Sequence, residues 1–246
     1  MDPDAATYIA AVEQADGQAL EEKVKIAIDN FVLGCKADGI WDAIKASCIL
    51  AGARTLNGAL KPLKGAAPTN SSFVSGDYNR KTGLVGDGSA KHLSSNYAYP
   101  TNLQNNCHIS GYYSVAPTIG AGTIGGFGDA IANGSYLSVT IARLYQSSSI
   151  TFIPSNTTTL GFRGISRSSS SSYLYRRASA NETASISSLA VTHQNQAIYA
   201  RYRGGTTWDA FSNPRLAFYS IGESLDLAKL DGRVTDLINA FGSVIA

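Results

Sequence analysis

Closely spaced turn signals divide the chain after residue 72 into short runs in which apolar and polar residues alternate. The dipeptides Asp87-Gly88 and Asn133-Gly134 are typical of tight hairpin turns, and Gly125-Gly126 and Gly204-Gly205 repeat the signal. Such runs predict strands, and many short strands at close spacing predict an antiparallel β-sandwich or barrel. The predicted strands cover residues 108–115, 137–143, 150–153, 197–203 and 215–221.

The first 64 residues follow a helical period instead. Asp4 can cap a helix that ends near Gly17, and a second predicted helix covers residues 18–36 with one apolar stripe. A third, shorter helix is predicted over residues 40–50. Three short helices bury little apolar surface alone, so they must pack on the downstream domain, on each other or on a partner chain.

The β region ends in a further predicted helix. It covers residues 225–241, Ser224 or Asp226 can cap it, and its apolar residues form one stripe. We therefore divide the chain into a helical N-terminal segment for docking or assembly, residues 1–64, and a β-sandwich that ends in a helix, residues 65–246.

Composition favours an ordered, weakly charged protein. Hydrophobic residues make up 44% of the 246 residues, whereas charged residues make up 15%, well below the ~25% of an average soluble protein. The net charge of +2 gives the whole molecule no strong electrostatic attraction to nucleic acid. A low-charge surface rich in Ser, Asn and Tyr also suits symmetric homo-oligomeric packing.

The cysteines and the start of the chain bear on redox state and location. Cys35, Cys48 and Cys107 lack the spacing of a zinc site or a disulfide framework, so we expect buried free thiols. The acidic start does not resemble a signal peptide, and no apolar run approaches the ~20 residues of a membrane span. We expect a soluble protein that was not exported through a standard signal and does not insert into a membrane.

Two repetitive stretches resemble functional motifs only superficially. Residues 120–125, Gly-Ala-Gly-Thr-Ile-Gly, match the dinucleotide-binding fingerprint by letters, but Gly126 and Gly128 follow where its helix would have to form. A glycine-rich hairpin or a close contact between strands is the better prediction. The five serines at 168–172 predict the tip or edge of a hairpin.

Metal and catalytic sites are weakly indicated. Asp77, Asn79 and Asp87 could offer oxygens to a calcium ion, although the loop lacks the EF-hand glutamate and such residues are typical turn formers. The three histidines lack ligand spacing, no Gly-x-Ser-x-Gly elbow is present, and the few acids of the β region do not resemble a glycosidase pair. We expect no cofactor and no enzymatic activity.

Tyrosine, arginine and tryptophan gather toward the end of the β region, on what should be neighbouring strands and turns. Aromatic rings can stack on sugars, arginines can bind carboxylates or phosphates, and both are favoured in protein interfaces. A glycan site, a contact with a neighbouring subunit and ordinary strand surface all stay open, while the modest charge disfavours single-stranded nucleic acid. The candidate binding residues are Tyr173, Tyr175, Arg176, Tyr199, Arg201, Arg203 and Trp208.

Three stretches carry a family resemblance. They are IKASCILAGART at residues 44–55, FVSGDYNRKTGL continuing into GDGS at residues 73–89, and RLAFYSIGESL at residues 215–225. Together they resemble virion proteins of tailed bacteriophages. Separately, the order Gly-x-Gly-Ser, strands, and a last strand ending in Gly-x-Ser-Leu before a helix resembles the laminin-G and concanavalin A-like jelly roll.

These resemblances imply a fold and two candidate roles. The jelly roll implies a mainly β protein of two packed antiparallel sheets, with a glycan-binding face in many relatives. The phage resemblance implies a structural protein on the exterior of the virion, in contact with other virion subunits. One role is attachment to a host-surface glycan or receptor at the tail fibre or baseplate, and the other is capsid decoration by the same β-sandwich.

Overall fold

The computed structural model describes residues 1–129, 133–150, 152, 160–191, 195–205 and 207–245. Four helices lie in these ranges: α1 (Pro3–Asp16), α2 (Glu22–Ala37), α3 (Leu56–Ala59) and α4 (Leu227–Val244). The strands of the described ranges are β1 (Ile44–Ile49), β2 (Thr69–Ser71), β3 (Tyr78–Asn79), β4 (Gly83–Val85), β5 (His92–Ala98), β6 (Cys107–Val115), β7 (Gly125–Gly128), β8 (Gly134–Leu137), β9 (Ala142–Gln146), β10 (Gly161–Arg167), β11 (Tyr173–Arg177), β12 (Ala180–Ala184), β13 (Asn195–Ile198), β14 (Arg201–Tyr202), β15 (Trp208–Asp209) and β16 (Arg215–Gly222).

These strands form two sheets. The first sheet has the order β12-β11-β10-β6-β16-β4-β3, and β1 also pairs with β16. The second sheet has the order β15-β14-β7-β13-β5-β2, with β8 paired to β7 and β9 paired to β8. Strand pairs are antiparallel except for β14 and β7, which run parallel. The predicted β-sandwich with N-terminal helices and a C-terminal helix is therefore confirmed.

The molecule has two hydrophobic cores because the first sheet is covered on both faces. Residues such as Ile109, Leu93 and Phe127 fill the space between the two sheets. On the other face of the first sheet, α1, α2 and α4 pack over β16, where the rings of Phe31 and Phe218 meet edge to face at 5.7 Å. The layers are therefore helices, first sheet and second sheet.

The predicted ends of α1 and α4 lie within about three residues of the observed ends, whereas α2 begins at Glu22, four residues later than predicted. The side chain of Asp2, not Asp4 as predicted, caps α1 by accepting a hydrogen bond from the Asp4 amide, and Gly17 ends the helix with φ of 64°. Asp226 caps α4 as predicted, since its carboxylate accepts from the amides of Ala228 and Lys229. No helix within the described ranges is long and apolar enough to cross a bilayer.

The predicted third helix over residues 40–50 is wrong, because β1 occupies its centre. β1 pairs antiparallel with the C-terminal part of β16, from Ile49 opposite Phe218 to Ile44 opposite Gly222. Both faces of β1 are buried: Ile49 lies in the helix-side core and Cys48 in the inter-sheet core. A strand that is apolar on both faces has no period of two, so its sequence does not distinguish it from a buried helix.

Two predicted strands are interrupted by turns. Residues 137–143 do not form one strand, because Ser138 begins a turn in which its amide donates to the carbonyl of Ile141 at 2.9 Å. Residues 197–203 break at Tyr199, whose φ of 70° ends β13 and redirects the chain into β14. The predicted strand over residues 150–153 lies largely outside the described residues.

The two repetitive stretches behave as predicted. The five serines connect β10 to β11 as a hairpin tip. The glycine-rich stretch forms no helix, and its last residue, Gly125, begins β7. A Cβ atom on Gly125 would lie 2.0 Å from the carbonyl oxygen of Ala197, so this glycine permits the close approach of β7 and β13.

The helical N-terminal segment shares its structure with the rest of the chain. β1 belongs to this segment and hydrogen-bonds to β16, and residues of α1 and α2 share one core with α4 and β16. The division at residue 64 stays a prediction about independent units.

Candidate functional site

The structure separates the seven predicted binding residues into two groups. Tyr173, Tyr175 and Arg176 lie on β11 in the first sheet, whereas Arg201, Arg203 and Trp208 lie on or beside β14 and β15 in the second sheet. Tyr199, the seventh residue, lies at the turn between β13 and β14. The structure thus brings together the residues around β14 and β15, but not all seven.

Three of the predicted tyrosines are core residues. Tyr173, Tyr175 and Tyr199 are buried in the inter-sheet core. The hydroxyl of Tyr173 donates to the carbonyl of Ala142 at 2.7 Å, and that of Tyr199 donates to the carbonyl of Leu84 at 2.5 Å. Burial raises the pKa of each of these phenols. The hydroxyls of Tyr173 and Tyr199 therefore form hydrogen bonds between the two sheets.

Arg176 points to the opposite face of β11 and joins the first sheet to a helix. Its Nε donates to Asp231 of α4 at 2.8 Å, and its Nη1 donates to Asn181 at 3.0 Å. Both charged side chains of the ion pair are nearly buried, with 11% and 9% of their surfaces exposed. Arg176 is therefore engaged in packing α4 on the sheet.

The three remaining predicted residues lie together with two that were not among the candidate binding residues, and we term the five the hairpin site: Arg201, Tyr202, Arg203, Trp208 and Asp209. β14 and β15 form an antiparallel hairpin at one edge of the second sheet, with Arg201 opposite Asp209 and Tyr202 opposite Trp208. All five residues of the hairpin site are partly exposed. The site therefore combines aromatic rings and guanidinium groups that ligands can reach.

A carboxylate orients both arginines of the hairpin site. Arg201 holds Asp209 in a two-pronged contact of 2.8 and 2.7 Å, and Arg203 reaches the same carboxylate at 2.9 Å. Burial opposes ionisation of Asp209, but its bonds to Arg201 and Arg203 outweigh this and lower its pKa. Two guanidinium groups around one carboxylate leave the site cationic and fix both side chains in place.

Two residues that are distant in the sequence, His92 and Tyr136, pack against side chains of the hairpin site. The His92 ring lies 4.0 Å from the Trp208 ring, which in turn lies 4.6 Å from the Tyr202 ring. The guanidinium of Arg201 lies 5.2 Å from the centre of the Tyr136 ring. The sequence analysis missed His92 and Tyr136 as site residues, because only the pairing of strands brings them here.

The three calcium candidates already have partners. The carboxylate of Asp77 binds Lys91 Nζ at 2.6 Å, and Asn79 accepts from the amides of Lys81 and Thr82 at 3.0 Å. Burial opposes ionisation of Asp87, but backbone amides donating to it hold its pKa well below the usual range. Within the described residues, no group of three or more His, Cys, Asp or Glu side chains is arranged to hold a metal.

A buried serine–histidine pair lies beneath the helices in the first sheet. Nδ1 of His108 lies 2.5 Å from the carbonyl oxygen of Glu223, so it carries the proton, and Nε2 accepts from the Ser220 hydroxyl at 2.9 Å. Both residues have no exposed surface, so substrate cannot reach them. Of the two other histidines, His92 packs at the hairpin site and His193 lies outside the described residues.

The cysteines are buried and free, as predicted. Burial raises the pKa of the Cys35 and Cys48 thiols to about 12. Thiols with a raised pKa are poor nucleophiles at neutral pH because little thiolate forms.

Burial of neutral His108 makes stability depend on pH. Its pKa falls to about 4, chiefly because burial disfavours the charged imidazolium. Since the unfolded chain binds this proton more readily, we expect the free energy of unfolding to drop as pH falls from about 6.5 to about 4, by roughly 3 kcal/mol. Denaturant titrations at several pH values measure this drop.

His108→Gln is the matched control, because glutamine is neutral across the same range. Its free energy of unfolding should vary much less between pH 6.5 and about pH 5.5, the part of the window above most of the carboxylate titration. Equal slopes in the wild type and the variant would contradict the assignment to His108.

Comparisons with known proteins were made at three levels. No family model matches the sequence, and no curated protein matches it significantly. One similar solved structure is titled "HCR/D-Sa-GBL1/C", with a TM-score of 0.47 and 12% identity; the match covers 81% of this chain and about half, 52%, of that chain. Another is Domain 4 of AbnA, a GH43 extracellular arabinanase from Geobacillus stearothermophilus, in complex with arabinotriose, with a TM-score of 0.35, 12% identity, and coverage of 71% of this chain and 82% of that chain.

Proposed function

We propose that this chain is a non-catalytic structural protein of a phage virion that attaches to a host-surface glycan through the hairpin site. The observation that carries the proposal is the stack of the Tyr202, Trp208 and His92 rings beside two arginines that share Asp209. Aromatic faces bind the apolar faces of sugar rings, and guanidinium groups donate to hydroxyl and carboxylate oxygens.

Pre-organisation distinguishes the hairpin site from ordinary strand surface. Arg201 and Arg203 are held by Asp209, and the Trp208 ring contacts the rings of both Tyr202 and His92. Side chains already ordered in the free protein lose less entropy when a ligand binds. The hairpin also lies at the edge of the second sheet, where a glycan chain can pass without meeting the helices.

Removing either the aromatic or the cationic part of the hairpin site should weaken glycan binding. Trp208→Ala removes the stacking surface and Arg201→Ala removes a donor, so each should weaken affinity by at least about tenfold, or ~1.4 kcal/mol. A glycan array identifies the ligand, and calorimetric titration of that ligand measures the change.

Two variants outside the site serve as controls. Arg233→Ala removes an arginine that is paired with an aspartate, Asp38, on the helical side, as Arg201 is paired with Asp209. Leu174→Ala removes an exposed apolar side chain from the first sheet. Both should keep wild-type affinity, and unchanged binding in Trp208→Ala and Arg201→Ala would exclude the hairpin site.

The location on the virion exterior rests on the resemblance of residues 44–55, 73–89 and 215–225 to phage virion proteins. Labelling intact particles with an antibody against residues 73–220 tests it. Label at the tail supports attachment, and label on the head contradicts attachment.

Capsid decoration is the second candidate, and the helical layer favours it. Ile26 and Leu33 of α2 are 49% and 47% exposed, and Leu33 lines a groove of about 540 Å³ between α2 and α4. Exposed apolar side chains beside a groove are typical of protein contact surfaces. Decoration predicts label on the head and loss of particle binding in an Ile26→Asp/Leu33→Asp variant.

A further inference from the structure

Two arginines lie directly opposite each other inside the sandwich. Arg163 of β10 and Arg177 of β11 are cross-strand partners in the antiparallel register. Their side chains therefore share one face of the sheet, and Arg163 Nη1 donates to the carbonyl of Val139 at 2.9 Å, so that face is the one toward the second sheet. Like charges directly opposite each other on a sheet are destabilising unless something compensates them.

Arg177 is buried without the hydrogen bonds that a buried guanidinium needs. Only 1% of its side-chain surface is exposed, and none of its three guanidinium nitrogens has a hydrogen-bond partner in the described part of the chain. Its guanidinium lies 5.5 Å from the centre of the neutral Tyr175 ring, and its Nη2 lies 3.8 Å from the Glu182 carboxylate. Buried donors without acceptors cost free energy, and charged donors cost the most.

Arg167, on the same face of β10, shows that this interior can satisfy an arginine. Its Nε donates to the carbonyl of Leu144 at 3.0 Å, and its Nη1 and Nη2 donate to carbonyls of Ser169, Ser172 and Ile186. The fold therefore supplies acceptors for an arginine four residues along the strand from Arg163 but leaves the donors of Arg177 open. The open donors mark a place for an acceptor that is not part of the described residues.

We propose that Arg177 and Arg163 form a binding site for an oxyanion, that is, a carboxylate, sulfate or phosphate group. An oxyanion accepts several N–H bonds at once, so it satisfies the open donors of Arg177 and offsets the repulsion between the two facing guanidinium groups. The site is separate from the hairpin site, since β10 and β11 belong to the first sheet.

Glu182 controls access to this site. Its side chain is 28% exposed while Arg177 is covered, and β12, which carries it, is the edge strand of the first sheet. An oxyanion arriving from solvent therefore meets Arg177 beside the Glu182 carboxylate and competes with it. Removing the charge of Glu182 should strengthen oxyanion binding.

The test is thermal unfolding in sodium phosphate, sulfate or glucuronate against sodium chloride of equal ionic strength. We expect each oxyanion that fits to raise the Tm of the wild type by about 2–4 °C at saturating concentration. Arg177→Gln should show no oxyanion-specific rise, and Glu182→Gln should reach half of the rise at about one tenth of the wild-type concentration. A response to phosphate and sulfate identifies the free ion, and a response to glucuronate alone identifies a sugar acid.

Several outcomes would contradict the proposal that Arg177 and Arg163 bind an oxyanion. They are an equal Tm rise in chloride, an undiminished rise in Arg177→Gln, or an unchanged half-saturation concentration in Glu182→Gln. The Glu182→Gln result decides the matter if Arg177→Gln does not fold. Arg201→Ala should keep the full oxyanion response, so failure of this site and failure of the proposed glycan binding can be told apart.

Discussion

Asp231→Ala should lower the free energy of unfolding by about 3–5 kcal/mol, the cost of leaving a buried charge without its partner. Asp231 lies on α4 and accepts from Arg176 Nε at 2.8 Å and from the Thr235 hydroxyl at 3.2 Å. Without it, the nearly buried Arg176 keeps only its 3.0 Å bond to Asn181. Chemical denaturation of the purified variant measures the loss.

Two further variants test whether the stability lost in Asp231→Ala comes from breaking the ion pair and not from the change in the number of charges. The double variant Arg176→Met/Asp231→Leu removes both charges and should be much closer to the wild type than Asp231→Ala. Asp38→Ala breaks the more exposed pair with Arg233 and should cost at most about 1 kcal/mol. An Asp231→Ala loss as small as that of Asp38→Ala would show that the ion pair does not hold α4 on the sheet.

Phe218→Ala should have an effect of similar size, about 3–5 kcal/mol, because it opens a cavity between the helices and the first sheet. Phe218 is completely buried on β16, and its ring packs against Phe31 of α2. The adjacent strand β1 is paired to the same residue, since Ile49 lies opposite Phe218. Calorimetry of the variant measures both the lower Tm and the number of transitions.

The number of transitions tests how the helical segment relates to the sandwich. Since α1, α2, α4 and β16 share one core, we expect one cooperative transition that moves to lower temperature as a whole. Phe218→Leu retains most of the buried volume and should cost less than half as much. Two separate transitions would favour residues 1–64 as an independent unit.

Local signals in the sequence predicted the elements that depend on local chemistry. Asp226 and Gly17 mark helix ends because they satisfy terminal backbone groups with their own side chain or conformation. The five serines mark a hairpin for a similar reason. β1 was missed because its identity depends on β16, more than 150 residues later, and on burial of both its faces.

The sequence predicted the residues of the hairpin site only in part, for a related reason. Arg201, Arg203 and Trp208 lie within eight positions of each other, so a hairpin brings them together, but His92 joins them only through the second sheet. β11 shows the reverse problem, because tyrosine suits either a core or a surface. There the two tyrosines face inward and Leu174, 40% exposed, faces outward.

The order of the layers separates the hairpin site from the helices. The helices cover one face of the first sheet, and the second sheet lies on the other, about 10 Å further away. A partner bound to α2 and α4 would therefore contact a different layer of the molecule from a ligand bound at the hairpin site. One copy of this fold thus offers its helical layer and its second sheet as two separate places for contact.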